Sequence, residues 1–288
     1  MTNIRAKKSL GQNFLNDESV ARRIIEFVSP ASEEIIIEVG PGTGVLTRML
    51  VNRSGYVIAV EIDDRLADSL RGSLNRNNLS VITADALRLN WEEVITNAKE
   101  TLRSFHPEHA TAARVRVVAN LPYYISTPII EMFLGLSNQL SDMTLMLQKE
   151  VAERITTGPG NKEYGYLSVL VQYYCVASLL FEVPPTAFTP APKIQSSVIR
   201  LKLREQPAIQ VEDEARFFAL VRAAFSQRRK TILNNLKASA AALKFSQPVG
   251  AALEAAGVDA QRRAETLSLA EFASLDSALF CYTEVCRP

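Results

Sequence analysis

The period of the apolar positions changes along this chain. Ile35-Ile36-Ile37-Glu38-Val39 is a short β-branched run that stops at Gly40-Pro41-Gly42-Thr43-Gly44, after which Val45 to Leu50 has helical character. The pattern predicts strand, glycine turn, helix. A second strand from Tyr56 to Glu61 leads into a helix carrying Leu66 and Leu70, and a third near Val81-Ile82 ends at Ala84-Asp85. A fourth, Val115 to Ala119, runs into Asn120-Leu121-Pro122-Tyr123. Strands and helices alternating at this spacing predict an α/β fold with a parallel, doubly wound Rossmann-like sheet, and ligands at the carboxyl ends of its strands. Arg204-Glu205-Gln206-Pro207 reads as a linker. From Glu212 to Pro288 the pattern is helical and alanine-rich, with Phe217, Phe218, Leu220, Val221 and Phe225 on one side and Gly250 and Gly257 as helix ends. The expected division is a sheet domain over 1–205 and a smaller helical domain over 206–288.

Composition narrows the class. With 288 residues, 47% of them hydrophobic, the chain can bury a sizeable core. No run approaches the roughly 20 apolar residues of a membrane span, and no apolar core follows the first residues, so a cytoplasmic, membrane-free location is expected. Cys175, Cys281 and Cys286 are too few and too badly spaced for a disulfide framework. Between Glu92 and Arg114 lies a helix with a polar loop, which contains His106 and His109 with Glu108 between them. With no third strong ligand nearby, no metal site is expected. The net charge of +1 does not announce nucleic acid, but its distribution is uneven: Arg5, Lys7 and Lys8 crowd the start, and basic residues recur from Lys193 to Lys244, most densely at Arg228-Arg229-Lys230. Such a run is either a solvated helix face or a surface for phosphates.

The glycine turn lets the backbone bend sharply and lets a ligand approach closely, and a nucleoside is its natural occupant. The dinucleotide fingerprint would need glycine at position 45, where Val45 stands, so the Gly40, Gly42, Gly44 spacing resembles methyltransferases more than dehydrogenases. Glu61 ends the second strand where a carboxylate can accept both ribose hydroxyls. Asp85 follows the third strand, where it can accept from an adenine amine or cap the following turn. Asn120-Leu121-Pro122-Tyr123 fits the Asp/Asn/Ser-Pro-Pro-aromatic type of motif that acts on exocyclic amines, with Leu121 in place of the first proline. An adenine amine is a poor nucleophile because its lone pair is delocalised into the ring. The Asn120 side-chain oxygen and the Leu121 carbonyl can localise that pair by accepting from the two N–H groups, Pro122 stiffens the loop, and Tyr123 can stack on an extruded base.

With these motifs in this order, the chain resembles the ribosomal RNA adenine dimethyltransferases over almost its full length, and within them the bacterial KsgA type. The resemblance rests on Lys8-Ser9-Leu10-Gly11-Gln12-Asn13-Phe14-Leu15, the glycine turn, Asn120 to Tyr123 with Ile125-Ser126-Thr127-Pro128, Leu147 to Ala152, Phe188-Thr189-Pro190-Ala191-Pro192-Lys193 and Gln227-Arg228-Arg229-Lys230-Thr231. It implies a class I methyltransferase sheet that binds S-adenosyl-L-methionine through Asn13, Leu15, Gly40, Gly42, Glu61, Asp85 and Asn120. It also implies Phe188 as a second aromatic face opposite Tyr123; taken alone, Phe188 reads more readily as a core residue, although Pro190 and Pro192 suit a stiff loop better than a packed strand. Further implications are dimethylation of two adjacent adenosines in the loop of the 3'-terminal hairpin of 16S rRNA, a role in small-subunit biogenesis, a monomeric state, and RNA binding by Arg228, Arg229 and Lys230. Tyr124, where asparagine is also common, and the long Glu92 to Arg114 segment depart from the pattern without touching this chemistry. The competing readings are an Erm-like enzyme acting on large-subunit RNA, a non-catalytic ribosome-assembly or transcription factor of the same fold, and a Rossmann dehydrogenase.

Overall fold

The structure, a computed structural model, describes residues 6–7, 10–105, 107 and 114–280. The His106, Glu108, His109, Cys281 and Cys286 expectations therefore fall outside the described residues. The chain divides into two compact units, Met1–Ala152 with Val176–Leu203, and Glu153–Cys175 with Arg204–Pro288.

In the first unit the strands are β1 (Phe14–Leu15), β2 (Ile35–Val39), β3 (Tyr56–Glu61), β4 (Leu79–Thr83), β5 (Val115–Asn120), β6 (Asp142–Gln148), β7 (Cys175–Val183), β8 (Phe188–Thr189) and β9 (Ser196–Leu203). Its helices are α1 (Glu18–Val28), α2 (Val45–Leu50), α3 (Asp64–Ser73), α4 (Trp91–Phe105), α5 (Ser126–Leu134) and α6 (Lys149–Thr156), the last running on past the division. Among the described residues the sheet has seven strands in the order β4-β3-β2-β5-β6-β9-β7. The first five are parallel, and β9 runs antiparallel to β6. Every residue of β2 and β3 is buried, as expected where both faces of a parallel sheet are covered. The expected α/β architecture is thus found. Val39 pairs with Val60 on one side and Ala119 on the other, and Glu61 pairs with Thr83. Residues that follow β2, β3, β4 and β5 therefore emerge along one edge.

The opposite edge carries a buried ion cluster. Arg116, 4% exposed, donates to both carboxylate oxygens of Asp142 at 2.8 and 3.1 Å and to Glu34 at 2.9 Å. It thereby joins the amino-terminal ends of β5 and β6 to the residue that precedes β2.

The second unit contains α7 (Tyr166–Tyr174), α8 (Glu214–Ala224), α9 (Ile232–Leu243), α10 (Val249–Ala255) and α11 (Leu269–Phe280). Tyr164, Val169 and Tyr173 share its apolar core with Phe217, Leu220 and Phe272. This alters the single boundary expected after 205. The chain enters the helical unit at Glu153, returns for β7, β8 and β9, and re-enters at Arg204, because the apolar face of α7 is buried by α8 and α11. Gly257, at φ +67, directly follows the end of α10, and Gly250 lies in its first turn.

The basic triplet is also placed differently from expectation. Arg228, Arg229 and Lys230 form an exposed turn between α8 and α9, not a helix. The Asn235 side-chain amide, 2% exposed, donates to the carbonyls of Ala224 at 2.6 Å and Gln227 at 3.2 Å, and Lys230 N–H donates to Gln227 at 3.1 Å. These bonds stop α8 before the triplet, and Thr231 starts α9 after it by accepting from Asn234 N–H. Arg228 donates to the Lys162 carbonyl at 3.0 Å. No helix among the described residues is long and apolar enough to cross a membrane.

Removing one member of a buried ion cluster strands the others without water. Arg116→Ala should cost about 3–5 kcal/mol of stability in denaturant unfolding. A loss under about 1 kcal/mol would be the size expected of solvated surface pairs instead.

Candidate active site

A cavity of about 240 Å³ opens at the carboxyl ends of β2, β3, β4 and β5. It lies where successive strands leave β2 in opposite directions, the place at which doubly wound sheets bind ligands. Gly40 N–H extends the ladder by donating to Val60 at 2.9 Å, and Ala84 N–H donates to Glu61 at 3.0 Å. The turn after β2 and the loop after β4 are thereby tied to the end of β3.

Glu61 is the hub. It is 5% exposed; one carboxylate oxygen accepts from Gly42 N–H at 3.1 Å and the other from Asp63 N–H at 3.0 Å. Gly42 is needed as glycine: it sits at φ +56, and a Cβ there would lie 3.2 Å from the Phe14 ring. Burial raises the Glu61 carboxyl above its ordinary value against the pull of those two N–H donors, and the charge of Asp63 adds to the rise. Glu38, 2% exposed, has no donor at all on its Oε2. Burial, opposed by the Thr47 hydroxyl and aided by the Glu61 charge, pushes its carboxyl up to about 8. Asp63 is the opposite case. The Arg65 side chain, with help from Lys7 and Gln12, holds its carboxyl well below the usual carboxylate range.

This donor set decides the kind of ligand. In dinucleotide sites the glycine-turn N–H groups face a pyrophosphate. Here the Gly42 N–H is spent on a carboxylate, and Glu38, Glu61 and Asp85 all border the cavity. The site suits a ligand that brings hydroxyls, an amine and positive charge. Asp85 also caps the short 3₁₀ turn Ala86–Arg88, accepting from Leu87 N–H at 3.0 Å, so the capping role and the place on the cavity wall belong to one side chain.

Beyond β5 the loop is rigidly held. Leu121 N–H donates to Met146 at 3.2 Å, Ile125 N–H to Pro122 at 3.1 Å, and Ser126 Oγ to the Tyr123 carbonyl at 3.1 Å. The Tyr123 hydroxyl lies 3.0 Å from Ser196 Oγ, and burial raises its pKa. Asn120 Nδ2 donates to the Asn13 carbonyl at 3.3 Å, so the amide oxygen is the end left to accept. Asn13, Leu15, Gly40, Gly42, Glu61 and Asp85 are thus brought to one cavity, together with Asn120 through Tyr123.

Phe188 is not brought there. It pairs with Leu15 in the β1–β8 ribbon and is 4% exposed, packed in the apolar core with Leu15, Phe181 and Val198. Arg228, Arg229 and Lys230 belong to the other unit. Sequence reasoning gave Glu38 and Ser196 no role. A lone acid in the run Ile35 to Val39 was the available signal for the first; the second is placed by β9 against Tyr123, a residue 73 positions earlier in the chain.

A family model described as ribosomal RNA adenine dimethylase matches residues 3–275. The chain belongs to the ribosomal RNA adenine dimethylase family. Among curated relatives of this dimethylase is ribosomal RNA small subunit methyltransferase A of Clostridium perfringens (strain SM101 / Type A), 43% identical over 281 residues, 97% of this chain and 93% of the relative. The protein of the same name from Anoxybacillus flavithermus is 45% identical over 276 residues, 95% of this chain and 90% of that one. Among solved structures, 23S rRNA methyltransferase ErmE has a TM-score of 0.66 at 26% identity, over 93% of this chain and 99% of its own. A dimethyladenosine transferase from Plasmodium falciparum shares the fold with a TM-score of 0.72 at 24% identity, over 91% and 95%. A dimethylase is a methyltransferase.

The Glu38 carboxyl leads to a pH dependence of stability. Its pKa is raised on folding, so its contribution is fully present below the unfolded value near 4.5 and is lost as pH rises through about 8. Between pH 5 and 8 the wild type should lose stability relative to Glu38→Gln by up to about 1.4 kcal/mol per pH unit. Parallel stability curves for the two proteins would remove the protonated Glu38.

Proposed function

We propose that this dimethylase transfers methyl groups from S-adenosyl-L-methionine to the N6 amines of two adjacent adenosines in the loop of the 3'-terminal hairpin of 16S rRNA, and that it acts in maturation of the small subunit. The observation that carries the reading is the Asn120 amide, anchored through its nitrogen by Asn13 and so presenting its oxygen as the free acceptor. The small-subunit substrate is supported by the names of the relatives at 43% and 45% identity, against 26% for the large-subunit enzyme.

The donor, when bound, supplies a methyl group on a positively charged sulfur. Glu61 accepts its ribose hydroxyls and Asp85 its adenine amine. Asn13, Leu15, Gly40 and Gly42 close round it. The Asn120 oxygen and the Leu121 carbonyl accept from the two N–H groups of the target amine and draw its lone pair out of the ring. On taking the methyl group the amine would become acidic and would pass one proton to water, so no strong base and no metal are required. Each acceptor can be given up in turn, and this permits a second methyl. Tyr123, held at its hydroxyl by Ser196, offers its ring to the base. Phe188 pairs with Leu15 across the β1–β8 ribbon and shares its apolar core.

Asn120→Ala should slow single-turnover methylation by about a hundredfold, with cofactor affinity in calorimetry changed far less. Mass spectrometry of RNA digested after full turnover by the wild type should show dimethyladenosine. An Asn120→Ala rate near wild type, or monomethyladenosine alone, would sink the proposed chemistry.

The exposed Arg228-Arg229-Lys230 turn should meet RNA phosphates, since A-form grooves offer side chains little sequence information. Replacing all three with alanine should reduce the slope of log affinity for the small subunit against log salt by up to about 2, at roughly 0.7–0.9 per phosphate contact. Cofactor affinity should stay unchanged. An unaltered slope would mean a solvated surface only.

A further inference from the structure

The segment that walls one side of the cavity is fastened from outside it. Lys7 Nζ donates to Asp63 Oδ1 at 3.1 Å and Gln12 Nε2 to Asp63 Oδ2 at 3.2 Å. Gln12 Oε1 accepts from Lys7 N–H at 2.7 Å, so the two residues are also clipped to each other. On its other side Asp63 receives Arg65 through the main-chain N–H at 3.2 Å, Nε at 3.0 Å and Nη2 at 2.7 Å. Asp63 is 1% exposed and begins α3. Arg65 alone would satisfy a helix-capping carboxylate, yet two further donors arrive from a part of the chain 51 and 56 residues earlier.

That segment leads straight to the reacting end of the site. Gly11, at φ +57, bends it so closely past Tyr124 that a Cβ would lie 3.1 Å from the ring. The Asn13 side chain donates back to the Gly11 carbonyl at 3.3 Å, while the Asn13 carbonyl accepts from Asn120 Nδ2, also at 3.3 Å. β1 then pairs with β8. Lys7 and residues 10 to 15 thus lie between two anchors, Asp63 and β8, with the Asn120 contact between them. An amide whose nitrogen is engaged on one side carries its oxygen on the other. The place of the Asn13 carbonyl therefore selects which end of Asn120 meets the substrate.

We propose that Asp63 is a positioning residue for methyl transfer: it latches Lys7 and Gln12 so that the Asn13 carbonyl is held against the Asn120 amide, and the amide oxygen is held toward the target amine. This rests on the function proposed above. The latch is electrostatic on the Lys7 side and neutral on the Gln12 side. Because Asp63 stays ionised far below neutral pH, the latch does not loosen over the working range.

The test uses the full chain with small-subunit RNA and saturating S-adenosylmethionine. Lys7→Met with Gln12→Leu should lower the single-turnover rate about tenfold, the loss expected when hydrogen bonds to a charged group are removed, and should speed release of S-adenosylhomocysteine in stopped flow. Lys7→Arg should keep the wild-type rate. Arg65→Ala, which cuts Asp63 contacts outside the segment, should leave the transfer rate near wild type. In an Asn120→Ala background the Lys7 and Gln12 changes should lower the rate no further, because the group they position is gone. A double variant that transfers at the wild-type rate overturns the latch. So does an Arg65→Ala variant just as slow, or a full multiplicative loss in the Asn120→Ala background. Absence of any transfer by the wild type overturns the functional reading itself.

Discussion

The register in which β2 lies between β3 and β5 sets the position of nearly every polar group in the cavity. Five parallel strands of similar length, three of them (β2, β5 and β6) joined at their starts by the Arg116 cluster, stop together at the other edge. A slip of one residue in the β2–β3 pair would move Glu61 away from Gly42 N–H and turn its side chain to the other face. The glycine turn would then lose the carboxylate that shapes it, and the cavity would lose its hub.

Three carboxylates within one sheet edge behave in three ways, and the difference follows from the number of donors each is given. Asp63 has Arg65, Lys7 and Gln12 and is strongly acidic despite its burial. Glu61 has two main-chain N–H groups, too few to offset desolvation. Glu38 has an oxygen with none and is pushed up furthest of the three. A buried acceptor left empty is costly unless something else fills it. The cavity wall thus carries carboxylate oxygens beside a glycine turn whose Gly42 N–H is already taken. At the opposite edge the donors are plentiful: Asp142 accepts from Arg116, Arg200 and Ser141, and Glu34 from Arg116 and Ala31 N–H.

The helical unit shows how a buried neutral side chain can set the shape of a charged surface. Asn235 stops α8 by taking two carbonyls that the helix end leaves over. The three cations that follow are therefore displayed on a turn, where their side chains diverge less regularly than on a helix face. Two of the chain's aromatic-rich stretches, around Tyr173 and around Phe217, meet in this core although the strands β7, β8 and β9 separate them in sequence.

Local chemistry was legible in the sequence. β-branched runs, a glycine turn lacking glycine at 45, an acid at the end of the second strand and the Asn120 to Tyr123 loop each depend on neighbours within a few residues. They predicted the parallel sheet and a set of residues that the structure brings to one cavity. What the sequence could not specify were contacts whose partners lie far along the chain. Phe188 and Tyr123 are both aromatics beside prolines, and only the pairing of β1 with β8 buries the first while the second stays on the cavity wall. The basic triplet passes for a helix until Asn235 is seen to end α8. Residues 153–175 pass for part of the sheet domain until α7 is seen to pack on α8 and α11. Glu38 is simply one acid in an apolar strand until its oxygen is found buried without a donor. Periodicity and turn chemistry are written in local order, whereas burial and hydrogen-bond partners depend on which distant segment arrives, and that was decided only by the tertiary structure.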